Sequence, residues 1–356
     1  MRPTIARIHM KNLKANMDLM KEKAGDRTFL AVIKADAYGH GAIECLNYLY
    51  KEGVRHFGVA TFGEALELRA VYEDIFILVL GATDPSDYEE AARKNIRLPI
   101  FDLASLENYL ALEEKGPVHI KIDTGMHRVG LQPQEFMDNI DKIKLLGAEG
   151  IYTHIARADE EDTTSAYEQI ERFNKVLEFS DAQGLRFDFI HYANSATILS
   201  LDLGRTNLVR GGIAMYGLAP DGKKDFGLKP VMTLHSKILS IREINEGEGV
   251  SYGHTFVAEK PSRIGTMPIG YADGYKRQMS RKVRVYVAGA FAPQIGNISM
   301  DQTMVDLTET DAKLYDEVEL MGEHVKCEEL AEAAGTINYE IVTTMGRRVD
   351  REYIYE

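Results

Sequence analysis

Cysteine, tryptophan and positive charge are all scarce in this chain of 356 residues. It has two cysteines, Cys45 and Cys327, and no tryptophan. Two isolated cysteines exclude a disulfide framework and lack the spacing of metal ligands, so we expect a reducing compartment and no metal site. The 42 lysines and arginines are outnumbered by 55 acidic residues, for a net charge of −13. This balance argues against nucleic acid or anionic membranes as partners, because both require clustered positive charge.

Long apolar runs are also missing. No window of about 18 residues is apolar enough for a transmembrane helix, and the first residues, MRPT, do not begin a signal peptide. We therefore expect a cytoplasmic protein that acts on small molecules. The length favours one large domain with a smaller one, because a single core usually stops growing below this size.

Most of the first 230 residues alternate short apolar runs with amphipathic, charge-bearing stretches. The eight apolar runs are 28–33, 56–60, 75–80, 97–101, 118–122, 150–154, 188–192 and 206–210. Eight strand–helix units predict an α/β fold with an N-terminal TIM (β/α)8 barrel. A doubly wound sheet is the alternative.

After residue 230 the pattern changes to alternating strands with glycine-bearing turns, which predicts a mostly β domain at the C-terminus. The predicted strands are 233–244, 262–269, 283–288, 302–306 and 317–320, with helical pieces near 327–334 and 339–345. The predicted division is an N-terminal strand at 1–10 that packs with the C-terminal domain, a barrel at 11–230 and the β domain at 231–356.

Lys34 is the most informative single residue. It follows the apolar run 29–33 (FLAVI) and opens the polar segment 34–42 (KADAYGHGA). A buried strand would deliver its amine to the end of the barrel where active sites lie. Burial opposes the charged ammonium, so such a lysine loses its proton readily and can form a Schiff base with a carbonyl. Lys34 is therefore a candidate anchor for an aldehyde cofactor.

Segment 31–41 (AVIKADAYGHG) closely resembles the cofactor-lysine motif of the alanine racemase family, whose members use pyridoxal 5'-phosphate. The resemblance extends from Pro3 to Tyr355 and involves at least six separate segments. It implies a cofactor-binding barrel followed by a β domain, and an amino-acid racemase that works as a homodimer.

Residues after the seventh and eighth predicted strands fit a phosphate site, because barrel enzymes often bind phosphate there. Asn194 and Ser195 follow the seventh strand, and Ser195 offers a hydroxyl. Gly212 allows close approach of the backbone to an anion, and Ile213 supplies the next amide. Tyr38 could donate a further hydrogen bond. The alternative is that the glycine pair 211–212 is only a tight turn.

Arg210 ends the eighth predicted strand and is the candidate partner of the pyridine nitrogen. An arginine gives up a proton with difficulty, so the ring nitrogen would stay unprotonated and would withdraw electrons weakly. This favours racemisation over transamination or decarboxylation. The resemblance assigns this role to Arg210 and makes His154 its hydrogen-bonding neighbour, although His154 could also be a structural histidine of the barrel.

Racemisation needs an acid/base group on each face of the α-carbon. Lys34 can serve one face. Segment 249–255 (GVSYGHT) resembles the family segment whose tyrosine, here Tyr252, enters from the other subunit and serves the opposite face. A phenol is a weak base at neutral pH, so we expect the His154 and Arg210 network to assist it. On its own, Tyr252 would be an ordinary aromatic beside a turn.

Three further segments carry substrate contacts by resemblance. Segment 269–275 gives Tyr271 a contact near the substrate entrance, and segment 297–302 gives the amide of Met300 a role at the substrate carboxylate. Lys121 and Arg128 match a lysine that is often carbamylated to N6-carboxylysine and the arginine that it orients near the substrate carboxylate. The alternative for Lys121 is an unmodified barrel lysine with an acidic partner.

The chain also departs from the family pattern. Arg347 stands where members commonly have a tyrosine that contacts the cofactor phosphate, Ser299 where many have cysteine, and Asn297 where some have arginine. An arginine at 347 could bind the phosphate or reshape the entrance for a polar substrate. Strict specificity for alanine is therefore in question.

The sequence predicts a pyridoxal-phosphate-dependent isomerase that interconverts L-alanine and D-alanine by two bases and supplies D-alanine for peptidoglycan. The enzyme alternative is a serine or broad-specificity racemase. The non-enzyme alternative is a protein that binds pyridoxal phosphate for homeostasis, which would need the lysine and the phosphate loops but no opposing tyrosine.

Overall fold

The computed structural model describes residues 2–356. Its internal contacts divide it into two units. The barrel unit comprises Lys14–Ala37 and Ala42–Met215, and the β unit comprises the chain up to Leu13, Tyr38–Gly41 and Tyr216–Glu356. Among residues 2–356, no helix combines the length and the apolar character that crossing a membrane requires.

The chain begins with strand β1 (Ile5–His9) and helix α1 (Met10–Ala24), which precede eight short strands of the barrel unit. These strands are β2 (Thr28–Val32), β3 (His56–Val59), β4 (Phe76–Val79), β5 (Leu98–Ile100), β6 (Val118–Lys121), β7 (Gly150–Tyr152), β8 (Phe189–His191) and β9 (Leu208–Gly211). Seven of them lie within the predicted apolar runs, and β9 extends one residue beyond its run, to Gly211.

All eight strands are parallel and close into a ring. The hydrogen-bonded orders are β4-β3-β2-β9 and β5-β6-β7-β8. A bridge between Leu78 and Arg97 joins the first group to the second. At the other seam, the Asn207 amide donates to Ile190 O over 3.0 Å and the Arg210 amide to Ala193 O over 2.9 Å. The predicted TIM barrel is confirmed, because a doubly wound sheet would leave two edges open.

Helical segments follow the barrel strands, and the first of them, Lys34–Gly39, is a left-handed turn. They are α2 (Lys34–Gly39), α3 (Ala42–Lys51), α4 (Phe62–Val71), α5 (Tyr88–Arg93), α6 (Leu103–Leu110), α7 (Pro133–Asp138), α8 (Ile140–Leu145), α9 (Thr164–Ala182) and α10 (Ser195–Ser200), with 3₁₀ turns at Pro85–Asp87 and Ile213–Tyr216.

The β unit is built on a nine-stranded sheet that includes β1. Its other strands are β10 (Met232–Lys237), β11 (Ser240–Ile244), β14 (Ser262–Met267), β15 (Arg284–Val287), β16 (Ala290–Ile295), β17 (Thr303–Asp306), β18 (Glu317–Met321) and β19 (Asp350–Ile354). Their order in the sheet is β11-β14-β17-β16-β15-β18-β10-β1-β19. A separate pair is β12 (Gly249–Val250) with β13 (Phe256–Val257), and the helices are α11 (Cys327–Ala334) and α12 (Asn338–Thr343). β1 pairs with β10 and with β19, so the first strand completes this sheet.

The predicted mostly β domain is present, with three differences in its nine-stranded sheet, and the separate pair β12 and β13 was not predicted. The run 233–244 forms two strands, β10 and β11, rather than one. β16 was not predicted, because Pro293 weakens the strand pattern, yet Pro293 pairs with Arg284 of β15. β19 was not predicted either, since its sequence DREYI is mostly charged and its residues are half-buried or exposed.

Candidate functional site

Lys34 lies just beyond the carboxyl end of β2, two residues after Val32. Its side chain is half-buried. Burial, together with the neighbouring Arg128 and Arg210 charges, lowers the pKa of Lys34, while Glu64 acts in the opposite direction. A larger fraction of its amine is therefore neutral near pH 7 than in an ordinary lysine, as a nucleophilic amine requires.

The backbone after Lys34 is left-handed. Ala35, Asp36, Ala37 and Tyr38 have φ between 50° and 54°, a conformation that costs L-residues about 1–2 kcal/mol each. The Glu64 carboxylate accepts a hydrogen bond from the Ala35 amide over 2.7 Å, and that of Asp36 accepts one from the Ala42 amide over 2.7 Å. These bonds fix the direction in which Lys34 leaves its strand.

Glu64 was not among the predicted site residues, although a sequence signal for it exists. Thr61 and Glu64 have the spacing of a capping box, and both of its bonds form at the start of α4. The second carboxylate oxygen also accepts the Ala60 amide over 2.7 Å. The same carboxylate therefore caps a helix and holds the turn beside Lys34.

Arg210 in β9 is only 4% exposed. Its two terminal nitrogens donate to uncharged acceptors, which are the His191 ring and carbonyl, the His154 ring, and the carbonyls of Thr153 and Tyr192. The Nε–H donates no hydrogen bond within residues 2–356. Burial lowers the pKa of Arg210 to about 10, so the side chain stays a cation at neutral pH and keeps one N–H for a ligand.

His154 lies directly beside Arg210. Its Nδ1 accepts from Arg210 Nη2 over 3.1 Å, which leaves Nε2 to carry the proton in the neutral ring. Loss of contact with water and the Arg210 charge hold the pKa of His154 well below its ordinary value. His154 is therefore a neutral hydrogen-bond donor at its free nitrogen.

Lys121 ends β6 and is 5% exposed. Its Nζ lies 3.4 Å from Leu80 O and 5.5 Å from the centroid of the Tyr152 ring, and within the described residues it forms no ion pair with an acid. Burial, followed by the Arg128 and Arg210 charges, lowers the pKa of Lys121 to about 8. The Asp123 charge acts to raise this pKa, but among residues 2–356 no acid forms an ion pair with Lys121, and the amine is partly neutral near physiological pH.

The loop that carries Arg128 is ordered by Asp123, which the sequence prediction did not single out. One carboxylate oxygen of Asp123 accepts the amides of Gly125, Met126 and His127 at 2.9–3.0 Å. Arg128 is exposed and makes no hydrogen bond within the described part of the chain. Its charge nevertheless acts on Lys34, Lys121 and His154.

The predicted phosphate residues also come together. Ser195 Oγ accepts the amides of Gly212 over 3.0 Å and Ala214 over 3.3 Å, so its own hydrogen is available to another acceptor. The Ile213 amide donates to no atom of residues 2–356. The Asn194 side chain caps α10 by accepting the Thr197 amide over 3.0 Å. Ser195 and Ile213 therefore offer donors, while the Gly212 and Asn194 groups already have partners.

The other predicted site residues belong to the β unit. Tyr38 is buried against the Tyr216 ring, with centroids 4.9 Å apart, and burial raises the pKa of its hydroxyl well above the ordinary value. Tyr252 lies in the 3₁₀ turn Tyr252–His254 and is 71% exposed. Its carbonyl accepts the Asn297 side-chain amide over 2.8 Å, and Ser251 Oγ donates to Asn297 O over 2.8 Å. Asn297 thus holds the tyrosine turn.

Tyr271 and Met300 lie on two loops that are bonded to each other. The Tyr271 amide donates to Ser299 O over 3.0 Å, and the Ala272 amide to Met300 O over 3.1 Å. Both side chains are exposed, and the Met300 amide donates to no described residue. Arg347 is exposed and makes no hydrogen bond within residues 2–356.

Asp273, which was not predicted, ties these loops together. Its buried carboxylate accepts from Arg348 Nε over 2.9 Å and from the Gly270 amide over 3.0 Å. Arg348 also pairs with Asp301 over 2.8 Å. The segments that carry Tyr271, Met300 and Arg347 are therefore one connected framework within the β unit. Within residues 2–356, no cluster of three or more His, Cys, Asp or Glu side chains could hold a metal ion.

Comparisons with known proteins agree along the whole chain. Residues 8–220 match the family model for the alanine racemase N-terminal domain, and residues 231–353 match that for the C-terminal domain. The alanine racemase of Halothermothrix orenii is 39% identical over 372 residues, which cover 99% of this chain and 97% of the relative. Alanine racemase 2 of Caldanaerobacter subterraneus is 37% identical over 370 residues, which cover 99% of this chain and 95% of the relative.

Solved structures give the same result. The biosynthetic alanine racemase of Pseudomonas aeruginosa has a TM-score of 0.92 and 36% identity, with complete coverage of both chains. The alanine racemase of Bartonella henselae with covalently bound pyridoxal phosphate has a TM-score of 0.93 and 34% identity, covering 99% of this chain and 100% of the other.

Proposed function

The chain belongs to the alanine racemase family, and we propose that it interconverts L-alanine and D-alanine with pyridoxal phosphate, using Lys34 and Tyr252. The observation that carries the residue assignment is the arrangement around Lys34. An amine with a lowered pKa at a barrel strand end lies within electrostatic range of Arg210, whose one spare N–H can meet a ligand. In this proposal the enzyme acts in the cytoplasm, and its product D-alanine is used to build peptidoglycan.

The donors of the barrel unit fit the cofactor. Lys34 offers a nucleophilic amine, and Arg210 offers Nε–H to a ring nitrogen. Ser195 and the Ile213 amide offer donors for phosphate, Gly212 donates to Ser195 Oγ and so positions it, and Asn194 and His154 position their neighbours. We also assign Tyr38 and Arg347, which belong to the β unit, to the cofactor. Once held by these residues, the cofactor would withdraw electrons from the α-carbon of an amino acid and so make the α-proton acidic.

Two groups then move the α-proton. Lys34, once substrate has taken its place, accepts or returns the proton on one face. Tyr252 of the partner subunit does so on the other face, in a head-to-tail homodimer. Support for this arrangement comes from exposure, because Tyr252, Met300 and Tyr271 are 71%, 52% and 41% exposed. Apolar side chains grouped on bonded loops mark an interaction surface.

Arg128, Met300 and Tyr271 are assigned to the substrate. Arg128 and the Met300 amide bind the carboxylate, and Tyr271 lines the entrance. Lys121 is carbamylated in this proposal, because its amine has a pKa of about 8 and faces cations without an acid partner among the described residues. The carbamate would be an anion that pairs with Arg128, which relieves the cost of several buried positive charges.

A panel of L-amino acids, each incubated with the purified protein and pyridoxal phosphate and assayed for the D-enantiomer, tests the function. We expect alanine to give the highest turnover. A higher turnover of serine would instead establish the serine-racemase alternative. Binding of the cofactor, seen as visible absorbance, without any D-product would establish the homeostasis protein.

A further inference from the structure

A row of hydrogen bonds crosses the barrel interior beneath Arg210. Arg210 Nη1 lies 2.8 Å from His191 Nδ1, and His191 Nε2 lies 2.8 Å from His119 Nδ1. His119 Nε2 is 3.3 Å from a carboxylate oxygen of Glu149, which also accepts from Arg97 Nε over 2.8 Å. Glu149 and Arg97 directly precede β7 and β5, so the row runs from the opposite end of the barrel to the site.

The two ends of this row determine where its protons lie. Arginine only donates, so His191 Nδ1 must accept and His191 must carry its proton on Nε2. That proton is donated to His119 Nδ1, which leaves His119 protonated on Nε2 and donating to Glu149. A doubly protonated ring at either position would place two donors against each other. Only one arrangement, with both histidines neutral, satisfies every contact.

Burial and ring packing reinforce this arrangement. Neither histidine is exposed to solvent, and burial lowers the pKa of both. The His191 ring stacks on Tyr152 with centroids 4.6 Å apart and planes 4° apart, and the His119 ring stacks on Phe189 at 5.7 Å and 17°. The ring planes are therefore fixed as well as the protons.

The charges along the row explain what Glu149 contributes. Arg210 is buried and all its acceptors are uncharged, whereas Glu149 pairs with Arg97. Hydrogen bonds in a chain polarise one another, so a carboxylate at one end makes the acceptor at the other end stronger. His191 then holds Nη1 in place, and the plane of the guanidinium directs its spare Nε–H.

We propose that Glu149 is a positioning residue, which acts through His119 and His191 to fix the direction in which Arg210 donates. The effect on cofactor binding rests on the proposed function, but the proton arrangement does not. It is a property of the protein without cofactor and is measured there.

The first experiment uses cofactor-free protein labelled with ¹⁵N-histidine, in which imidazole ¹⁵N shifts report the tautomer. We expect His119 and His191 as neutral rings protonated on Nε2. An Nδ1–H tautomer or a cation at either position would overturn the proposal, whatever the enzyme's activity. Because this measurement needs no substitution at Glu149, it stands even if a variant fails to fold.

Substitutions then test the role of Glu149. Glu149→Leu removes the acceptor of His119 Nε2–H. Because Arg210 still donates to His191 Nδ1, both rings should keep their tautomers, but the Nε2–H signal of His119 should lose its hydrogen-bond shift and the dissociation constant of pyridoxal phosphate should rise about tenfold. Glu149→Gln keeps an acceptor oxygen that Arg97 can still orient, so it should keep the hydrogen-bond shift of His119 Nε2–H and most of the affinity for pyridoxal phosphate. Glu107→Leu, which removes an exposed partner of Lys142, is the surface control and should change neither. A native shift of His119 Nε2–H together with native affinity for pyridoxal phosphate in Glu149→Leu would reject the assignment.

Discussion

The barrel unit and the β unit hold their predicted site residues in opposite ways. In the barrel unit, Arg210 and Lys121 are 4% and 5% exposed, and both terminal nitrogens of Arg210 donate hydrogen bonds. In the β unit, Tyr252 is 71% exposed and Met300 is 52% exposed, although the backbones that carry them are tied by hydrogen bonds. The site residues of the barrel unit are therefore buried and fixed, whereas those of the β unit have fixed backbones and solvent-exposed side chains.

This difference suggests a division of labour. Buried groups that are held by hydrogen bonds change the pKa of a neighbouring amine and direct a donor without further reorganisation, which suits them to hold a cofactor. Exposed side chains on fixed backbones are suited to contacts that form with a second chain or a substrate. Variants of the barrel unit should therefore alter cofactor binding, and variants of the β unit should alter proton transfer and substrate choice.

Lys34→Ala should have the largest effect. The variant loses both the covalent anchor and one proton-transfer group, so we expect turnover to fall more than about 10⁴-fold. The visible absorbance of bound pyridoxal phosphate should disappear as well. Lys21→Ala is the matched control, because burial also lowers the pKa of Lys21, in α1. A variant at 34 that kept the absorbance would show that the anchor is another residue.

Tyr252→Phe should have the next largest effect, and it should alter proton transfer without altering cofactor binding. General acid/base catalysis contributes about 10²- to 10⁴-fold, so exchange of the α-proton with solvent should slow by that factor for one enantiomer and much less for the other. Cofactor absorbance should be unchanged. Proton NMR in D₂O measures both exchange rates.

Tyr271→Phe controls for loss of an exposed tyrosine hydroxyl in the same unit, and we expect little asymmetry from it. An equal slowing of both enantiomers in Tyr252→Phe would contradict the two-base scheme.

The same contrast explains how much could be predicted from the sequence. The eight barrel strands were predictable because each is a short apolar run, and Lys34 and Arg210 because they end such runs. Glu64, Asp123 and Asp273 were missed. They bind backbone amides of loops, and only the capping box at Thr61 gave a local signal.

The buried row was missed for a different reason. His119 and His191 are 72 residues apart, and Glu149 is 30 residues from His119. No local pattern relates them, and only closure of the barrel brings their side chains into one line. In the β unit, Pro293 and the charges of β19 hid strands whose pairing comes from neighbours rather than from their own propensity.

Lys121→Gln tests the carbamate and should have an intermediate effect. A neutral amine reacts with CO₂, and because the pKa of Lys121 is about 8, the modified fraction should fall as the pH drops below that value. ¹³C NMR with labelled bicarbonate detects the carbamate directly. We expect about a 10- to 100-fold loss of turnover, the size of a lost charge-assisted hydrogen bond. The exposed Lys142→Gln should lose neither signal nor activity, and a native protein without the ¹³C signal would refute the modification.

Arg347→Tyr should have the smallest effect, because a tyrosine can also donate to the cofactor phosphate, and it tests whether position 347 influences substrate choice. Arg347 is exposed and makes no hydrogen bond within residues 2–356, so replacing it should leave folding and the neighbouring Arg348–Asp273 pair intact. If its guanidinium favours a polar substrate, the ratio of serine to alanine turnover should fall by up to about tenfold, which corresponds to one hydrogen bond. Arg347→Lys keeps the positive charge, so its ratio of serine to alanine turnover should lie between those of the native protein and Arg347→Tyr. Identical ratios in all three proteins would mean that position 347 does not select the substrate.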